Sequence, residues 1–489
     1  MAPLDLVVVV AYFAATIGVG LWAARRQTTA GDYFLGARNL PAWAVLLSIV
    51  ATETSALTVV SIPGVGARGN LTFLQLAFGY LVGRIGVAIW LLPGYFSGTQ
   101  ETAYQRLESR FGAPARRVVS VVFLITRLLG DGVRTLAGAI PLAILTGWSV
   151  PVSIVVMGTI TLLYTWFGGL KAVVWADVIQ LFVYLAGGIT ALVVAWKLAG
   201  GPAAALAGAE AGGRLRMFDF SVNLTSTYTF VGGIIGGGLL SAASHGTDHL
   251  IVQRLLATRS LRDARVALIG SGVVVIVQFL LFLLVGSAIW VAGFAPEGLN
   301  SNDIFSKFVV EQLPTGLSGL VLAGILAAAM NSSINALASS MTHDLYASWT
   351  GRTDPVHLLR VGRVFTVVWG VAFIGAALLF HFYTSGNDTP AVVLALSIAS
   401  ITYGSLLGAY IMAGRWSRVR GPHLIAAISI TMVAMLLVVF ARPLSEQSGF
   451  GWLSPVVRLA WPWYVPLGTL LAVTLGTVAS VLFPGRRTA

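Results

Sequence analysis

The chain has 489 residues, of which 57% are hydrophobic and only 10% charged, and its mean hydropathy is +0.87. This composition leaves too little polar surface for a soluble protein of that length, so it predicts an all-α polytopic membrane protein. The absence of cysteine excludes disulfides, cysteine-bound metals and thiol catalysis. The net charge of +12 does not indicate a nucleic-acid partner, because the basic residues lie in short loops between apolar segments.

The apolar segments predict the membrane topology. Runs of about 20 apolar residues are long enough to cross a bilayer. The chain has about thirteen such runs, at residues 4–24, 41–66, 71–97, 117–147, 150–168, 174–198, 227–253, 266–293, 315–343, 361–382, 389–413, 421–441 and 461–484. Placing the amino terminus outside puts most basic residues, and the carboxyl terminus, in the cytoplasm. We therefore predict one membrane domain, residues 1–489, that crosses the lipid bilayer of the cell (inner) membrane many times.

The second predicted span carries polar side chains at its middle, within residues 46–66, LLSIVATETSALTVVSIPGVG. A carboxylate at bilayer depth persists only where it faces a protein interior or a wet cavity, so Glu53 indicates a functional site. The Ser, Thr and Gly residues around Glu53 predict an unwound midpoint, and the freed backbone carbonyls need partners in hydrocarbon. Such carbonyls beside hydroxyl groups are ligands for a small cation.

The seventh predicted span is interrupted in a similar way, at residues 232–238 and 241–248, five spans after the second. Unusual segments at matching places in two five-span units indicate an inverted-repeat transporter with its binding site at the repeat interface. Repeat one is predicted over residues 41–198 and repeat two over residues 227–413. A peripheral first helix is predicted within residues 1–40, and two peripheral C-terminal helices within residues 421–489.

The ninth predicted span, GLVLAGILAAAMNSSINALASSMTHDLY, contains Ser332 and Ser333. Ala329 lies three and four residues before them, so its carbonyl and both hydroxyls share one helix edge. Carbonyls of Ala51 and Thr54 from the unwound second span would complete a set of five oxygens for a sodium ion without a formal negative charge. The alternative is that the two serines permit close helix packing and bond to carbonyls one turn back.

Four motifs resemble the sodium:solute symporter family, which includes sodium-coupled sugar, proline, sialic acid, pantothenate and monocarboxylate transporters. They are ATETSALTVVSIPG in the second span, GGLKAVVWADVIQ in the sixth, SHGTDHLIVQR in the seventh, and LAAAMNSS followed by HDLY in the ninth. The resemblance covers nearly the whole chain. It implies a LeuT-type five-plus-five inverted repeat with discontinuous helices. It also implies that sodium is held by the carbonyls of Ala51, Thr54 and Ala329 and by the hydroxyls of Ser332 and Ser333.

Asp177 is a second carboxylate within an apolar run. The family resemblance places it near the cytoplasmic exit route of sodium, and members with a second sodium site use this aspartate with further ninth-span hydroxyls. The alternative is an interfacial aspartate paired with Lys171. This chain has Asn335 and Ala336 where such members carry a second serine pair. The amide oxygen of Asn335 is a candidate ligand, whereas Ala336 offers none, so the match to a second site is incomplete.

Three interpretations of Glu53 are open: it tunes ion affinity, carries a proton or neutralises a buried arginine. The fourth span supplies Arg127 and Arg134, with Asp131 spaced to face both. These three side chains could neutralise one another inside the bundle. Alternatively, Arg134 or Arg127 keeps spare donors for a substrate carboxylate, for which a guanidinium fork is well shaped.

Substrate contacts are predicted from the broken parts of spans two and seven and from spans three, four and eleven. The polar side chains in these places, beside Arg134, are Ser55, Thr58, Gln75, Ser241, Ser244 and Thr402. Ser244 stands where sugar-carrying relatives place a tyrosine over the substrate, which disfavours a sugar. His245, Asp248 and His249 are predicted to form a structural hydrogen-bond network rather than a metal site.

The sequence therefore predicts a sodium-coupled secondary symporter, not an enzyme. It would import a small organic solute by alternating access, with a slight preference for an organic anion such as a monocarboxylate. The alternatives are a sodium-coupled sugar or amino-acid symporter and a proton-coupled symporter that uses Glu53. A channel would need polar faces repeated along several spans. The predicted partners are sodium and the solute, and no particular oligomeric state is predicted.

Overall fold

The computed structural model describes residues 3–23, 27–54, 56–98, 100–299, 301–329, 333–384, 391–415, 418–446 and 449–484. The regular elements in these ranges are helices, as predicted. Those of the first half are α1 (Pro3–Ala23), α2 (Ala30–Leu35), α3 (Ala42–Glu53), α4 (Ala56–Arg68), α5 (Leu74–Trp90), α6 (Leu92–Tyr95), α7 (Gln105–Phe111), α8 (Ala113–Thr146), α9 (Val150–Leu198) and α10 (Pro202–Ala211).

The second half continues with the same kind of element. Its helices are α11 (Phe230–Gly232), α12 (Gly238–Gly246), α13 (His249–Leu256), α14 (Leu261–Val291), α15 (Ser301–Gln312), α16 (Leu317–Ala329), α17 (Ser333–Ser340), α18 (Ser348–Thr350), α19 (Pro355–Thr384), α20 (Ala391–Arg415), α21 (Gly421–Val439), α22 (Ala441–Ser445) and α23 (Tyr464–Leu482). A π-helical turn, Gly233–Gly237, joins α11 to α12, and another, Met341–Ala347, joins α17 to α18.

Side-chain caps fix where several of these helices begin. The oxygens of Ser149, Thr229, Asp248 and Ser260 accept hydrogen bonds from backbone N–H groups in the first turn of the helix that follows each. Such caps satisfy donors that have no partner inside the helix. The Asp248 cap restarts the chain as α13 after the break at Thr247, so the seventh predicted span is discontinuous, as expected.

The described part of the chain has seven helices long and apolar enough to cross a membrane, and the bent pair α3 and α4 would make an eighth. The prediction was about thirteen spans. One difference is visible in α9, whose 49 residues join the fifth and sixth predicted spans. A straight helix of that length would measure about 70 Å, more than twice the hydrocarbon thickness. Gly169, with φ 53° and ψ −150°, bends it where the two predicted spans meet. The count of thirteen stays a prediction.

Close backbone contacts bring span three against the broken seventh span. A Cβ atom added to Gly79 would lie 1.9 Å from the carbonyl oxygen of Gly233, and one added to Gly83 would lie 2.1 Å from that of Gly238. The third span therefore touches the π-helical turn and α12 with no side chain between them. On another face, α14 packs against α3, α4 and α5, so the two halves of the second span and the third span share one neighbour.

The first helix is tied to the start of the ninth predicted span. Asp5 in α1 accepts hydrogen bonds from the N–H groups of Gly316 at 2.7 Å and Gly319 at 2.8 Å, and from the hydroxyl of Ser318 at 2.9 Å. A carboxylate at this position satisfies donors at the beginning of α16 and complements the helix dipole. The peripheral helix thus holds one end of the span that carries the predicted sodium ligands.

Candidate functional site

The second predicted span is broken where its polar residues lie. α3 ends at Glu53, Thr54 is extended with φ −80° and ψ 99°, and α4 continues at an angle of 65°. The hydroxyl of Thr54 donates to the carbonyl of Val50 at 2.9 Å and accepts from the amide of Gln278 at 2.6 Å. The last carbonyls of a helix have no partner within it. The carbonyls of Ala51 and Thr54 are therefore placed at a helix end, where a ligand role is available to them.

The ninth predicted span is described on both sides of residues 330–332, as α16 up to Ala329 and as α17 from Ser333, whose side chain is fully buried. The predicted ligand Ser332 lies outside the described residues. Because α4 packs against α16, the second and ninth predicted spans are neighbours. The described part of the predicted sodium site thus comprises the backbone groups of Ala51, Thr54 and Ala329 and the Ser333 side chain, and sodium ligation stays a prediction.

Asp177 is buried in α9 and paired with an arginine from the seventh span. Its Oδ2 accepts hydrogen bonds from the Ser48 hydroxyl at 2.5 Å and from Nη2 of Arg254 at 3.0 Å. The partner is therefore Arg254 rather than Lys171, which corrects the alternative read from the sequence. Sequence spacing did not reveal the pair because its two members are 77 residues apart. The interaction joins α3, α9 and α13.

Asn335 on α17 is fully buried. Its Oδ1 accepts a hydrogen bond from the amide of Gln253 at 2.9 Å, and the same amide donates to the carbonyl of Phe34 at 2.9 Å. The amide oxygen proposed as an ion ligand is thus already in contact with α13.

Glu53 pairs with Arg84 of α5, at hydrogen-bond distance. Arg84 is fully buried, and its Nη1 donates to the hydroxyl of Ser271 at 2.7 Å. On the other side of the carboxylate, Nε2 of His245 lies 3.8 Å from Oε2 of Glu53. The idea that Glu53 meets a buried arginine therefore agrees with the structure, but the arginine is Arg84 rather than Arg127 or Arg134.

The two arginines of span four have different surroundings. Arg127 is buried and donates to Oδ2 of Asp248, from Nε at 2.9 Å, and to the hydroxyl of Tyr403 at 2.9 Å. Its Nη1 lies 3.8 Å from Oδ1 of Asp131. Arg134 contacts the same oxygen at 3.4 Å, and 34% of its side chain is exposed. Arg127 is therefore occupied by α12–α13 and α20 contacts, whereas Arg134 is held loosely.

The predicted substrate residues of spans three and eleven are hydrogen-bonded within the protein. Gln75 donates to the carbonyls of Thr72 and Tyr228, both at 3.1 Å, and accepts from the N–H of Asp219 at 2.9 Å. These bonds fasten the loop between α10 and α11 and favour a structural role over the predicted substrate contact. The Thr402 hydroxyl donates to the carbonyl of Ala399 at 3.4 Å.

The remaining candidates lie at the two breaks. Ser241 is buried, and its hydroxyl has no hydrogen-bond partner among the described residues. Ser244 is half-buried and contacts Nδ1 of His245 at 2.8 Å. Thr58 is half-buried on α4, and Ser55 lies outside the described residues. Contacts of these residues with a substrate stay a prediction.

Sequence reasoning missed Arg84 and Arg254 and underestimated His245. A lone arginine inside an apolar run, such as LVGRIGVAIW around Arg84, is the available signal, because a buried charge needs a partner. The identity of that partner depends on helix packing, which the sequence alone does not give.

The model of the sodium:solute symporter family matches residues 33–421. The chain belongs to the sodium:solute symporter family. The human sodium/iodide cotransporter is 30% identical over 456 residues, which cover 88% of this symporter and 69% of the cotransporter. The sodium/sialic acid symporter NanT of Aliivibrio fischeri is 26% identical over 491 residues, which cover 98% and 93% of the two chains.

A solved structure, described as the substrate-bound outward-open state of a Na+-coupled sialic acid symporter, has a TM-score of 0.86 and 24% identity to this symporter and covers 98% of both chains. This similarity confirms the predicted LeuT-type fold. Family membership confirms that the protein is a transporter rather than an enzyme and that it couples solute movement to sodium.

Proposed function

We propose that this symporter imports a small organic anion, such as a monocarboxylate, with sodium by alternating access. The transport domain is residues 1–489, with repeats at 41–198 and 227–413. The amino terminus lies outside and the carboxyl terminus in the cytoplasm of the cell (inner) membrane, because basic residues then concentrate in cytoplasmic loops.

The weak pairing and partial exposure of Arg134 support the preference for an anion. A guanidinium has five N–H donors, and the hydrogen bond that Arg134 makes to Asp131 is long, at 3.4 Å. With 34% of its side chain exposed, Arg134 keeps donors for a carboxylate, which a guanidinium binds in a bidentate manner. The donors of Arg127 are instead bonded to Asp248, between α12 and α13, and to Tyr403 on α20, so Arg127 holds these helices together.

Sodium is proposed to bind the carbonyls of Ala51, Thr54 and Ala329 and the hydroxyls of Ser332 and Ser333. Glu53, Asp177 and Asn335 line the possible exit path. Because Arg254 neutralises Asp177, and Ala336 offers no side-chain oxygen, we propose one complete sodium site. Sodium bound between the second and ninth spans would stabilise the outward-open state in preference to the inward-open state, which is the differential affinity that coupling requires.

Uptake of labelled C3 and C4 monocarboxylates into proteoliposomes tests the proposal. We expect uptake with an inward sodium gradient and none with a potassium gradient. Arg134→Gln should abolish anion uptake, because it removes the charge and the fork, while sodium still raises the melting temperature by binding the folded state.

A matched control lies on the same helix. Arg117 donates to the carbonyl of Ala113 at 3.3 Å near the start of α8, so Arg117→Gln should transport normally. Wild-type uptake by Arg134→Gln, or equal uptake with potassium, would reject the proposal.

A further inference from the structure

A row of exposed apolar side chains lies in the loop between α10 and α11. Every second residue from 218 to 224 is apolar, and the exposed fractions are 42% for Phe218, 67% for Phe220, 81% for Val222 and 54% for Leu224. The residues between them are Asp219, Ser221 and Asn223. Single exposed apolar residues are ordinary, but a contiguous group of large ones indicates a surface that contacts something other than water. We call residues 218–224 the apolar loop segment.

Hydrogen bonds hold the backbone of the apolar loop segment in place. The N–H of Asp219 donates to Oε1 of Gln75 in α5 at 2.9 Å, and the carbonyl of Asp219 accepts the N–H of Phe230 at 2.7 Å. At the other end of the segment, the carbonyl of Leu224 accepts the N–H of Ala460 at 2.9 Å. The backbone is therefore fixed to α5, to the start of α11 and to the residues before α23, while the apolar side chains stay exposed.

Aromatic contacts connect the segment to the ends of spans three and seven. The rings of Phe218 and Phe220 are stacked with their centroids 5.7 Å apart, so these two side chains lie on the same side of the segment. Phe218 also stacks on Phe78 of α5 at 6.1 Å, and Phe220 contacts Phe230, the first residue of α11, at 5.1 Å. The segment thus lies beside the places where spans three and seven begin.

Phe78 belongs to the face of α5 that lies against lipid. Val82, Ile85 and Ile89 follow it at intervals of three and four residues, which places all four side chains on one side of the helix. These three residues are exposed, and Leu71–Trp90 is long and apolar enough to cross a membrane. The aromatic stack therefore continues the lipid-facing surface of span three onto the apolar loop segment.

The size and charge of this surface favour lipid over a second copy of the chain. Four side chains are far fewer than the roughly 20–30 residues that each partner contributes to a stable protein interface. Arg216, which is exposed, precedes the segment, and its guanidinium lies 3.5 Å from the carboxylate of Asp219. Apolar side chains beside a basic residue are typical of segments that lie at the boundary between lipid headgroups and acyl chains.

We infer that residues 218–224 bind the bilayer interface, in the leaflet where spans three and seven begin. The side chains of Phe220, Val222 and Leu224 insert among the lipid chains, whereas Ser221 and Asn223 face water. Because the segment is bonded to the start of α11, the lipid contact restrains the first half of the broken seventh span. This binding surface is independent of the solute that the symporter carries.

The absence of cysteine from the chain permits a test with single nitroxide labels. The labelled variants are Phe220→Cys, Val222→Cys, Leu224→Cys, Ser221→Cys and Asn223→Cys. In liposomes of phosphatidylethanolamine and phosphatidylglycerol, electron paramagnetic resonance measures collisions of each label with oxygen, which concentrates in hydrocarbon, and with a water-soluble nickel chelate. Relative to labels at 221 and 223, we expect labels at 220, 222 and 224 to lose collisions with the chelate and to gain collisions with oxygen.

Two further labels supply the references. Ile89→Cys on the exposed face of α5 reports lipid, and Glu297→Cys in the exposed loop after α14 reports water. Chelate collisions at 220, 222 and 224 equal to those at Glu297→Cys, or equal at all five loop positions, would overturn the inference.

Protection of the labels at 220, 222 and 224 from both reagents would also overturn the inference, because protein would then cover the segment. Spin–spin broadening that disappears on dilution with unlabelled protein would identify that cover as a second copy. The five substituted side chains are exposed, and two positions on the apolar side suffice to show the pattern if one variant does not fold.

Discussion

Buried arginines organise the polar interior of this symporter. Arg84 meets Glu53, Arg254 meets Asp177 and Arg127 meets Asp248, and each pair joins different spans. A buried ion pair adds little net stability relative to apolar packing, but removing one partner costs about 3–5 kcal/mol because the other charge stays buried. The pairs therefore specify which helices face one another.

Ser333 gives a prediction at the level of a single ligand. Ser333→Ala should raise the sodium concentration for half-maximal uptake roughly tenfold, which corresponds to about 1.4 kcal/mol, because one of five proposed oxygens is lost. Sodium-dependence curves in proteoliposomes measure this change. Ser348→Ala, in α18 beyond the end of the same predicted span, is the control and should leave the curve unchanged. An unchanged value for Ser333→Ala would remove Ser333 from the set of ligands.

At the scale of single residues, the sequence indicates which charged residues are unusual but not which of them form ion pairs. Glu53 and Asp177 stand out as acids in apolar runs, and the chemistry requires a basic partner for each. Their partners, Arg84 and Arg254, lie on other helices, whereas the sequence suggested Lys171, which is near Asp177 in the chain, and the arginines of span four. Pairing depends on packing between helices, for which the spacing of residues carries no information.

At the scale of elements, the breaks were predictable and the helix contacts were not. Polar and glycine-rich residues mark the breaks at Thr54 and Thr247, because such residues weaken a helix in an apolar span. Glycines also mark residues 232–238 as an interruption, where the chain forms the π-helical turn Gly233–Gly237, but they do not indicate the contact of this turn with span three. Many glycines in the sequence have open space around them, so glycine alone does not identify a contact.

The contact between span three and the seventh span predicts a sharp difference between two glycines of α5. Gly83→Val should prevent folding or abolish transport, because its Cβ would lie 2.1 Å from the carbonyl oxygen of Gly238, which is backbone and cannot rotate away. Gly86→Val introduces the same residue less than one turn later, where no atom lies within 4 Å. Size-exclusion profiles and uptake of the two variants measure the difference. Similar behaviour of both would contradict the close contact.

At the scale of the whole molecule, the five-span spacing of the two breaks was enough to predict the inverted repeat. The fold confirms this prediction. The repeat could be predicted because it follows from the order of the spans along the chain, which the sequence itself contains. The number of spans stays a prediction, and within α9 the bend at Gly169 lies where the fifth and sixth predicted spans meet. The attachment of the first helix to α16 required the structure.

That attachment predicts a stability effect far from the proposed binding site. Asp5→Ala should lower the free energy of unfolding by about 1 kcal/mol, because the capping acceptor at the start of α16 is lost. Asp5→Asn keeps an acceptor oxygen and should retain most of the stability. Thermal unfolding of the purified variants in one detergent measures the order. Equal melting temperatures for the alanine variant and the wild type would show that the cap contributes nothing.

The two oxygens of Asp248 have separate tasks. Oδ1 accepts the N–H of Leu250 at 2.9 Å within its own segment, whereas Oδ2 receives Arg127 and the hydroxyl of Tyr403 from spans four and eleven. If the helices part during transport, Oδ2 loses its partners while Oδ1 keeps the carboxylate in its rotamer. Re-forming the contact then costs no side-chain entropy at Asp248. Asp248 is thus held in position, and only the side chains of Arg127 and Tyr403 have to reach it.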